Sequence, residues 1–143
     1  MAVCTFFGHR DCPAEIQKDI ETAILDLIQN YEVTDFYVGN QGLYDGMVRS
    51  TLRKLQGQFP HIRYAVVLAY LPKGKSDEFA DYSDTMLPEG IELVHPQYAL
   101  AWRNKWMIDQ SDYVVTYVTH GWGGAAKYAE MAKRKGKQVI SLV

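Results

Sequence analysis

The sequence has little of what marks several large classes of protein. It contains only two cysteines, Cys4 and Cys12, too few for the dense disulfide framework of a small secreted domain, so we expect two free thiols in a reducing compartment. The cysteines and the four histidines show no metal-ligand spacing. No apolar run approaches the roughly 18 residues of a membrane span, and no signal-peptide pattern is visible. We therefore expect a cytoplasmic protein that uses no membrane, no metal and no cofactor.

The chain also lacks a strong charge of either sign. Its formal net charge is -2 at pH 7. Non-specific binding to nucleic acid usually needs a basic face, so this balance disfavours nucleic acid as a partner. The 143 residues, 48% of them hydrophobic and 22% charged, fit one globular domain with a core of its own.

What the sequence does contain is one pattern that occurs three times. An apolar run typical of a buried strand ends at a polar turn with glycine, and a helical pattern follows. The three turns are Gly8-His9-Arg10, Gly39-Asn40-Gln41-Gly42 and Thr119-His120-Gly121-Trp122-Gly123-Gly124. In an open α/β sheet the carboxyl ends of parallel strands meet along one edge, where helix N-termini present free N–H groups to anions. The pattern therefore predicts a binding site for a phosphate-bearing ligand.

Strand and helix patterns alternate along the chain, which predicts an α/β fold. We expect a single doubly wound, mostly parallel, Rossmann-like sheet of about five strands with helices on both faces. The predicted strands cover residues 2–7, 35–38, 62–70, 113–118 and 138–142. A first helix is predicted from the apolar face that runs from Ile16 to Ile28, and three more at 45–56, 97–110 and 124–135. We expect one domain over residues 1–143. Residues 71–96 form a long connection, which serves either as a lid or as an insertion without a role. Within it, residues 91–94 are a candidate brief strand.

Two side chains in the first two turns have both a functional and a structural interpretation. Arg10 offers a planar guanidinium suited to phosphate, but it could instead pair with Asp11 and order its own turn. Gly39 and Gly42 allow close approach of the backbone. Asp45, three residues later, either caps the second helix or accepts a ribose hydroxyl.

The third turn carries the strongest single signal. Gly121, Gly123 and Gly124 lead into a helix that opens with small residues, which keeps side chains away from whatever meets the helix N-terminus. Two tryptophans four residues apart on the preceding helix, Trp102 and Trp106, are interpreted as core residues rather than base-stacking platforms.

These turns, taken with residues 103–136, resemble the SLOG superfamily. This Rossmann-like group includes the Lonely Guy phosphoribohydrolases and the Smf/DprA DNA-processing proteins, and the chain looks most like its small YpsA-like bacterial branch. The residues that carry the resemblance are Gly8-His9-Arg10, Gly39-x-x-Gly42-x-x-Asp45, Arg103-Asn104-x-x-Met107-x-x-x-Ser111-Asp112, and Gly123-Gly124 with Lys127-Tyr128 and Ala132. It covers nearly the whole chain except about residues 71–96.

The resemblance implies a nucleotide-derived ligand, such as a nucleotide, a nucleotide sugar or an ADP-ribose-like molecule. The ligand would lie across the carboxyl edge of the sheet, with Arg103 reaching in from the third helix. The candidate ligand-binding residues are Gly8, His9, Arg10, Gly39, Gly42, Asp45, Arg103, Asn104, Thr119, Gly121, Gly123 and Gly124.

Three functions follow from these observations. The first is binding, in the manner of a sensor. The second is hydrolysis of the N-glycosidic bond of a nucleoside monophosphate, for which Glu130, Asp45 and Asp112 are the candidate carboxylates. The phosphoribohydrolases carry Pro-Gly-Gly-x-Gly-Thr and a nearby glutamate, whereas the turn here lacks the Pro and the Thr. The third is an accessory role in nucleic-acid processing. A homo-oligomer is a further expectation, from exposed helix faces with Trp and Met.

Overall fold

The computed structural model describes residues 2–71 and 82–143, in which the apolar runs form parallel strands. The strands are β1 (Ala2–Gly8), β2 (Val33–Val38), β3 (Arg63–Val67), β4 (Thr85–Met86), β5 (Tyr113–Tyr117) and β6 (Gln138–Ser141). The helices are α1 (Ile16–Asn30), α2 (Gly42–Gln58), α3 (Ala99–Gln110) and α4 (Gly124–Arg134), and two 3-10 turns, Ile91–Leu93 and Pro96–Tyr98, precede α3.

The sheet is wound in two directions from its centre. Its strand order is β4-β3-β2-β1-β5-β6, and every neighbouring pair is parallel. The chain runs outward from β1 to β4 on one side and then returns to build β5 and β6 on the other. The direction reverses between β1 and β5, which is where ligands bind in open α/β sheets. The predicted α/β, Rossmann-like fold is confirmed, with six strands rather than about five.

The two faces of the sheet carry separate cores, because consecutive side chains of a strand point to opposite faces. Phe6 packs in the cluster that contains the apolar residues of α1 and α2. Phe7 packs instead with residues of α3 and α4, and its ring lies 5.4 Å from that of Tyr128, centroid to centroid. Trp102 and Trp106 are partly buried against these cores, as expected. None of the helices in the described ranges is long and apolar enough to cross a membrane.

The segment 71–96 contains regular structure in its second half. Thr85 and Met86 pair with the end of β3 and form β4, the strand beyond the five that the sequence predicted. The strand expected at 91–94 is wrong, because residues 91–93 form a 3-10 turn. Gly90 precedes that turn with φ 96°, a left-handed conformation that bends the chain out of an extended path. Residues 72–81, on which much of the lid expectation falls, lie outside the described residues.

One carboxylate fastens β4 to α2. Asp84 accepts two hydrogen bonds from Arg49, at 2.9 and 2.6 Å, and further ones from Arg53 and from the hydroxyl of Tyr64. Burial by itself raises the pKa of the Asp84 carboxyl, but the hydrogen bonds from Arg49 and Tyr64 outweigh burial and hold that pKa below its ordinary value. The short strand is thus held by charge as well as by backbone pairing.

We expect Asp84→Asn to lower the free energy of unfolding at pH 7 by about 2 kcal/mol, because the arginines lose their shared carboxylate. Since the folded pKa is depressed, this stabilisation is present above the ordinary carboxyl value of 3.8 and is lost as pH falls through the folded pKa. Urea unfolding at a series of pH values measures both effects. Asp19→Asn, at an exposed position of α1, is the control. If the difference in free energy of unfolding between wild type and Asp84→Asn persists in strong acid, the ionised carboxylate of Asp84 is not its source.

Candidate functional site

A cleft of about 660 Å³ opens at the carboxyl ends of β1 and β5, between which the order of the strands reverses. This volume is in the range of small-molecule sites, roughly 300–1,000 Å³. The lining residues are Phe6, Phe7, Gly8, His9, Arg10, Asp11, Gly39, Gln41, Asp45, Leu100, Arg103, Asn104, Met107, Thr119, His120, Trp122, Gly123, Gly124, Ala125 and Tyr128. All three glycine turns therefore contribute to one cleft, together with α3.

The predicted ligand-binding residues all line this cleft except Gly42 and Gly121. Of the three candidate carboxylates, only Asp45 does. Glu130 is exposed on α4, outside the cleft lining. Asp112 precedes β5 at the opposite edge of the sheet, where its Oδ2 accepts a hydrogen bond of 3.0 Å from the Val3 N–H. Asp112 thus holds the start of β1 in place and takes no part in lining the cleft.

Arg103 is a buried cation in the wall of the cleft, with 2% of its surface exposed. Its Nη1 donates to the carbonyl oxygen of Val67 at 2.6 Å and to Asn40 at 3.2 Å, and its Nε donates to Asn104 at 2.8 Å. Burial lowers the pKa of Arg103, and the charge of Asp45 opposes that shift. Within the described ranges no protein acceptor takes a hydrogen bond from Nη2. This guanidinium is positioned by the protein and keeps hydrogen-bonding capacity for a ligand.

Asp45 has the first of the two roles that the sequence left open, that of a helix cap. Helix α2 begins at Gly42, and Oδ2 of Asp45 reaches back to accept the Gln41 N–H at 2.9 Å, so the carboxylate caps the helix from its first turn. Burial raises the pKa of Asp45 to about 6, against the opposing effects of the Gln41 hydrogen bond and of Arg103 and Arg10. A carboxyl group that titrates near neutral pH inside a cleft can also donate or accept a proton.

Two of the predicted site glycines are required by packing inside the protein. A Cβ at Gly8 would lie 2.3 Å from the ring of Tyr44, which is fully buried and donates its hydroxyl to the Val115 carbonyl at 2.9 Å. Gly42 has φ 89°, and a Cβ there would lie 2.6 Å from the Cα of Arg10. These contacts explain both glycines without a ligand.

Arg10 itself is exposed and makes no ion pair with Asp11 in the part of the chain that is described. Its Nη2 instead donates to the amide oxygen of Gln41. The alternative in which Arg10 merely pairs with Asp11 is therefore wrong. The charge of Arg10 stays at the mouth of the cleft.

The turn between β5 and α4 has a different character. A Cβ at Gly121 or at Gly124 would meet no atom within 4 Å, so internal packing does not require glycine at either position. The N–H groups of Gly124, Ala125 and Ala126 form the first turn of α4, and no hydrogen bond joins them to residues 2–71 or 82–143. This helix N-terminus therefore presents three free donors beside the cleft, which is the geometry that binds anions.

Three aromatic rings stack beside this turn. His120 lies between His9 and Trp122, with ring centroids 3.8 and 3.7 Å apart and interplanar angles of 17° and 18°. Nε2 of His9 accepts the Thr119 N–H at 2.9 Å, so the neutral ring carries its proton on Nδ1. Burial and the neighbouring His120 lower the pKa of His9. His9 was predicted as a site residue, whereas His120 and Trp122 line the cleft without having been predicted. The one feature of the sequence that pointed to Trp122 is its position between Gly121 and Gly123.

Groups that could bind a metal are not assembled in the described residues, where no three His, Cys, Asp or Glu side chains lie close enough to share an ion. Leu100, Met107 and Tyr128 form an apolar wall of the cleft from α3 and α4. Met107 and Tyr128 belong to the pattern that carries the resemblance, whereas Leu100 was not singled out from the sequence.

Comparison with known proteins supports the fold. No protein-family description and no curated protein matches this chain. Among solved structures, the X-ray structure of DNA processing protein A (DprA) from Streptococcus pneumoniae aligns with a TM-score of 0.67 and 16% sequence identity, over 99% of this chain. The chain spans half of that protein's length, 50%. The chain therefore shares its Rossmann-like fold with this DprA structure, and at this identity the likeness extends to the fold alone.

We expect Gly8→Ala to lower the free energy of unfolding by about 3 kcal/mol, because the added methyl group overlaps the buried ring of Tyr44. Gly124→Ala adds the same methyl group where nothing lies within 4 Å, and it serves as the control. Thermal and urea unfolding of the two variants measure the difference. Wild-type stability in Gly8→Ala would show that Tyr44 does not pack on this glycine.

Proposed function

We propose that this protein binds a nucleotide-derived, phosphate-bearing ligand in the cleft and acts as a binding or sensor module. One observation carries the proposal. The free N–H groups at the start of α4 adjoin the same cleft that Arg103 lines with an unused guanidinium nitrogen. A helix N-terminus carries roughly half a positive charge, and a guanidinium matches the geometry of phosphate oxygens. Both features attract anions, and their presence in one cleft supports phosphate as a part of the ligand.

The rest of the cleft favours a ligand larger than inorganic phosphate. Its volume of about 660 Å³ leaves room beyond one anion, and Leu100, Met107 and Tyr128 offer an apolar wall to a flat or apolar group. An ionised Asp45 would accept a hydrogen bond from a sugar hydroxyl in the cleft. A nucleotide carries all three features, namely a phosphate, a sugar and an aromatic base.

The similar structure does not decide the partner. The Streptococcus pneumoniae protein is a DNA processing protein, but a shared fold identifies no partner, and the net charge of -2 does not favour a polyanion. We infer that the chain belongs to the small YpsA-like bacterial branch of SLOG proteins, on the pattern from Arg103 to Asp112. Free Cys4 and Cys12 fit the cytoplasmic location that we infer with it. A homo-oligomer remains a prediction.

We expect the wild-type protein to bind at least one of AMP, ADP and ADP-ribose below millimolar concentration in isothermal titration. Gly124→Asp should weaken that binding about tenfold or more, because its carboxylate competes with the ligand for the N–H groups of α4. A carboxylate at a helix N-terminus also stabilises the helix by about 0.3–1 kcal/mol, so the variant stays folded and its loss of affinity is specific to the site.

Gly57→Asp is the matched control for this experiment. It makes the same change of charge at the C-terminal end of α2, outside the cleft lining, where a Cβ meets nothing within 4 Å. An equal loss of affinity in Gly57→Asp would point to net charge rather than to the α4 turn. Failure of folded wild-type protein to bind any member of the panel would refute the proposal.

A second function is favoured by one specific observation, the carboxyl group of Asp45 with a pKa of about 6 in the cleft. Hydrolysis of an N-glycosidic bond needs a carboxylate that stabilises the ribose cation or a carboxylic acid that protonates the leaving base. Asp45 is the one of the three candidate carboxylates that lines the cleft. If the protein is a phosphoribohydrolase, Asp45 is the residue that acts at the ribose.

We expect Asp45→Asn to abolish release of base and ribose 5-phosphate from AMP, if the wild-type protein releases them, while Glu130→Gln retains wild-type turnover. The loss would not come from unfolding. Because the folded pKa of about 6 lies above the ordinary 3.8, the wild-type protein loses stability as pH rises between these values, and the variant does not. At pH 7 the variant is therefore expected to be more stable by on the order of 1–3 kcal/mol, and the two proteins converge in acid. Equal turnover in Asp45→Asn would remove Asp45 from the mechanism.

A further inference from the structure

Trp122 is the outer member of a stack whose inner members are fixed. His9 is held by its hydrogen bond from the Thr119 N–H, and His120 lies parallel to it at 3.8 Å. Trp122 covers the other side of His120 at 3.7 Å, yet 72% of its surface is exposed. One face of the indole is thus supported by two rings, and the stack ends at Trp122.

An ordinary core tryptophan is excluded by this exposure. Trp102 and Trp106, the other tryptophans, are partly buried, and Trp106 packs edge-on against Tyr37. Among the ring contacts of the described residues, Trp122 stacks on His120 alone. A large flat ring that is ordered on one face and exposed on the other has the form of a stacking platform.

The position of the platform matches the phosphate site. Trp122 immediately precedes Gly123 and lies two residues before Gly124, so its Cα is within about 7 Å of the first residue of α4. The base and the phosphate of a nucleotide are separated by one sugar. A ligand whose phosphate meets the α4 N–H groups therefore has its base within reach of the Trp122 ring, which also lines the cleft.

We propose that Trp122 is the nucleobase subsite of the cleft, where the aromatic base of the ligand stacks as a fourth ring on the His9–His120–Trp122 stack. This inference rests on the proposed function. It assigns the base to the turn between β5 and α4 rather than to the apolar wall of Leu100, Met107 and Tyr128. A base presents a π-face whatever its identity, so the subsite selects an aromatic group and not one particular base.

The experiment compares two ligands that share a phosphate and a ribose but differ in the base. AMP and ribose 5-phosphate are titrated into wild-type protein, Trp122→Ala and Trp122→Phe. We expect Trp122→Ala to weaken AMP binding about 10- to 100-fold and to leave ribose 5-phosphate unchanged. Trp122→Phe keeps an aromatic face and should retain most of the affinity for AMP.

Tryptophan fluorescence gives a second readout on the same proteins. AMP is expected to quench the emission of the wild type, because the base stacks on the exposed indole, whereas ribose 5-phosphate leaves the emission unchanged. Trp106→Phe is the control, since it removes a half-buried tryptophan and should keep the AMP-dependent quenching.

The outcomes separate this inference from the function on which it rests. If wild-type protein binds neither of these two ligands, the subsite fails, and the proposed function fails with it only if ADP and ADP-ribose do not bind either. If it binds both but Trp122→Ala weakens neither, or weakens both equally, the base lies elsewhere and only the subsite fails. A shift of oligomeric state in Trp122→Ala by size-exclusion chromatography, with unchanged affinity for AMP, would assign the ring to contact between two copies of the chain and overturn the subsite.

Discussion

The geometry of the cleft depends on one buried guanidinium. Arg103 joins α3 to the carboxyl ends of two strands, through the Val67 carbonyl and the Asn40 side chain. A charge removed from water is costly unless it is paired, and no carboxylate of the described residues lies within ion-pair distance of this one. Asp45 supplies only a longer-range attraction, so the cation is oriented by neutral oxygens. A bound anion would complete its neutralisation.

Asp45 and Arg103 both lie close to Gly39. A Cβ at Gly39 would lie 2.8 Å from the Asp45 carboxylate and 3.5 Å from the Arg103 guanidinium. Burial raises the pKa of Asp45 to about 6 despite two nearby arginines. As pH rises through this value, Asp45 ionises and the Asp45–Arg103 pair passes from net positive to neutral. An anion beside Arg103 would raise the pKa of Asp45 further, because like charges disfavour a second ionisation. Binding and protonation are coupled in this cleft by proximity alone.

The sequence predicted most of the sheet because its buried strands are apolar runs, three of which end at turns with glycine. It could not predict β4, whose two residues show no periodicity and depend on Asp84 and its arginines. In the site, it found the turns but not all the reasons for their residues. Gly8 is required by Tyr44, a contact across the fold, and the ring stack needs His9 and His120 to meet from turns more than a hundred residues apart. Such contacts leave no local pattern.

The central place of β1 in the sheet bears on how the chain is made. A nascent protein emerges from its N-terminus, so β1 to β3 can pair long before residues 113–117 exist. Until β5 is synthesised, one side of β1 is an open edge of unpaired N–H and C=O groups, a template on which another chain can add a strand. The cleft is completed only when β5 and α4 have been made, and until then the growing chain carries this open strand edge.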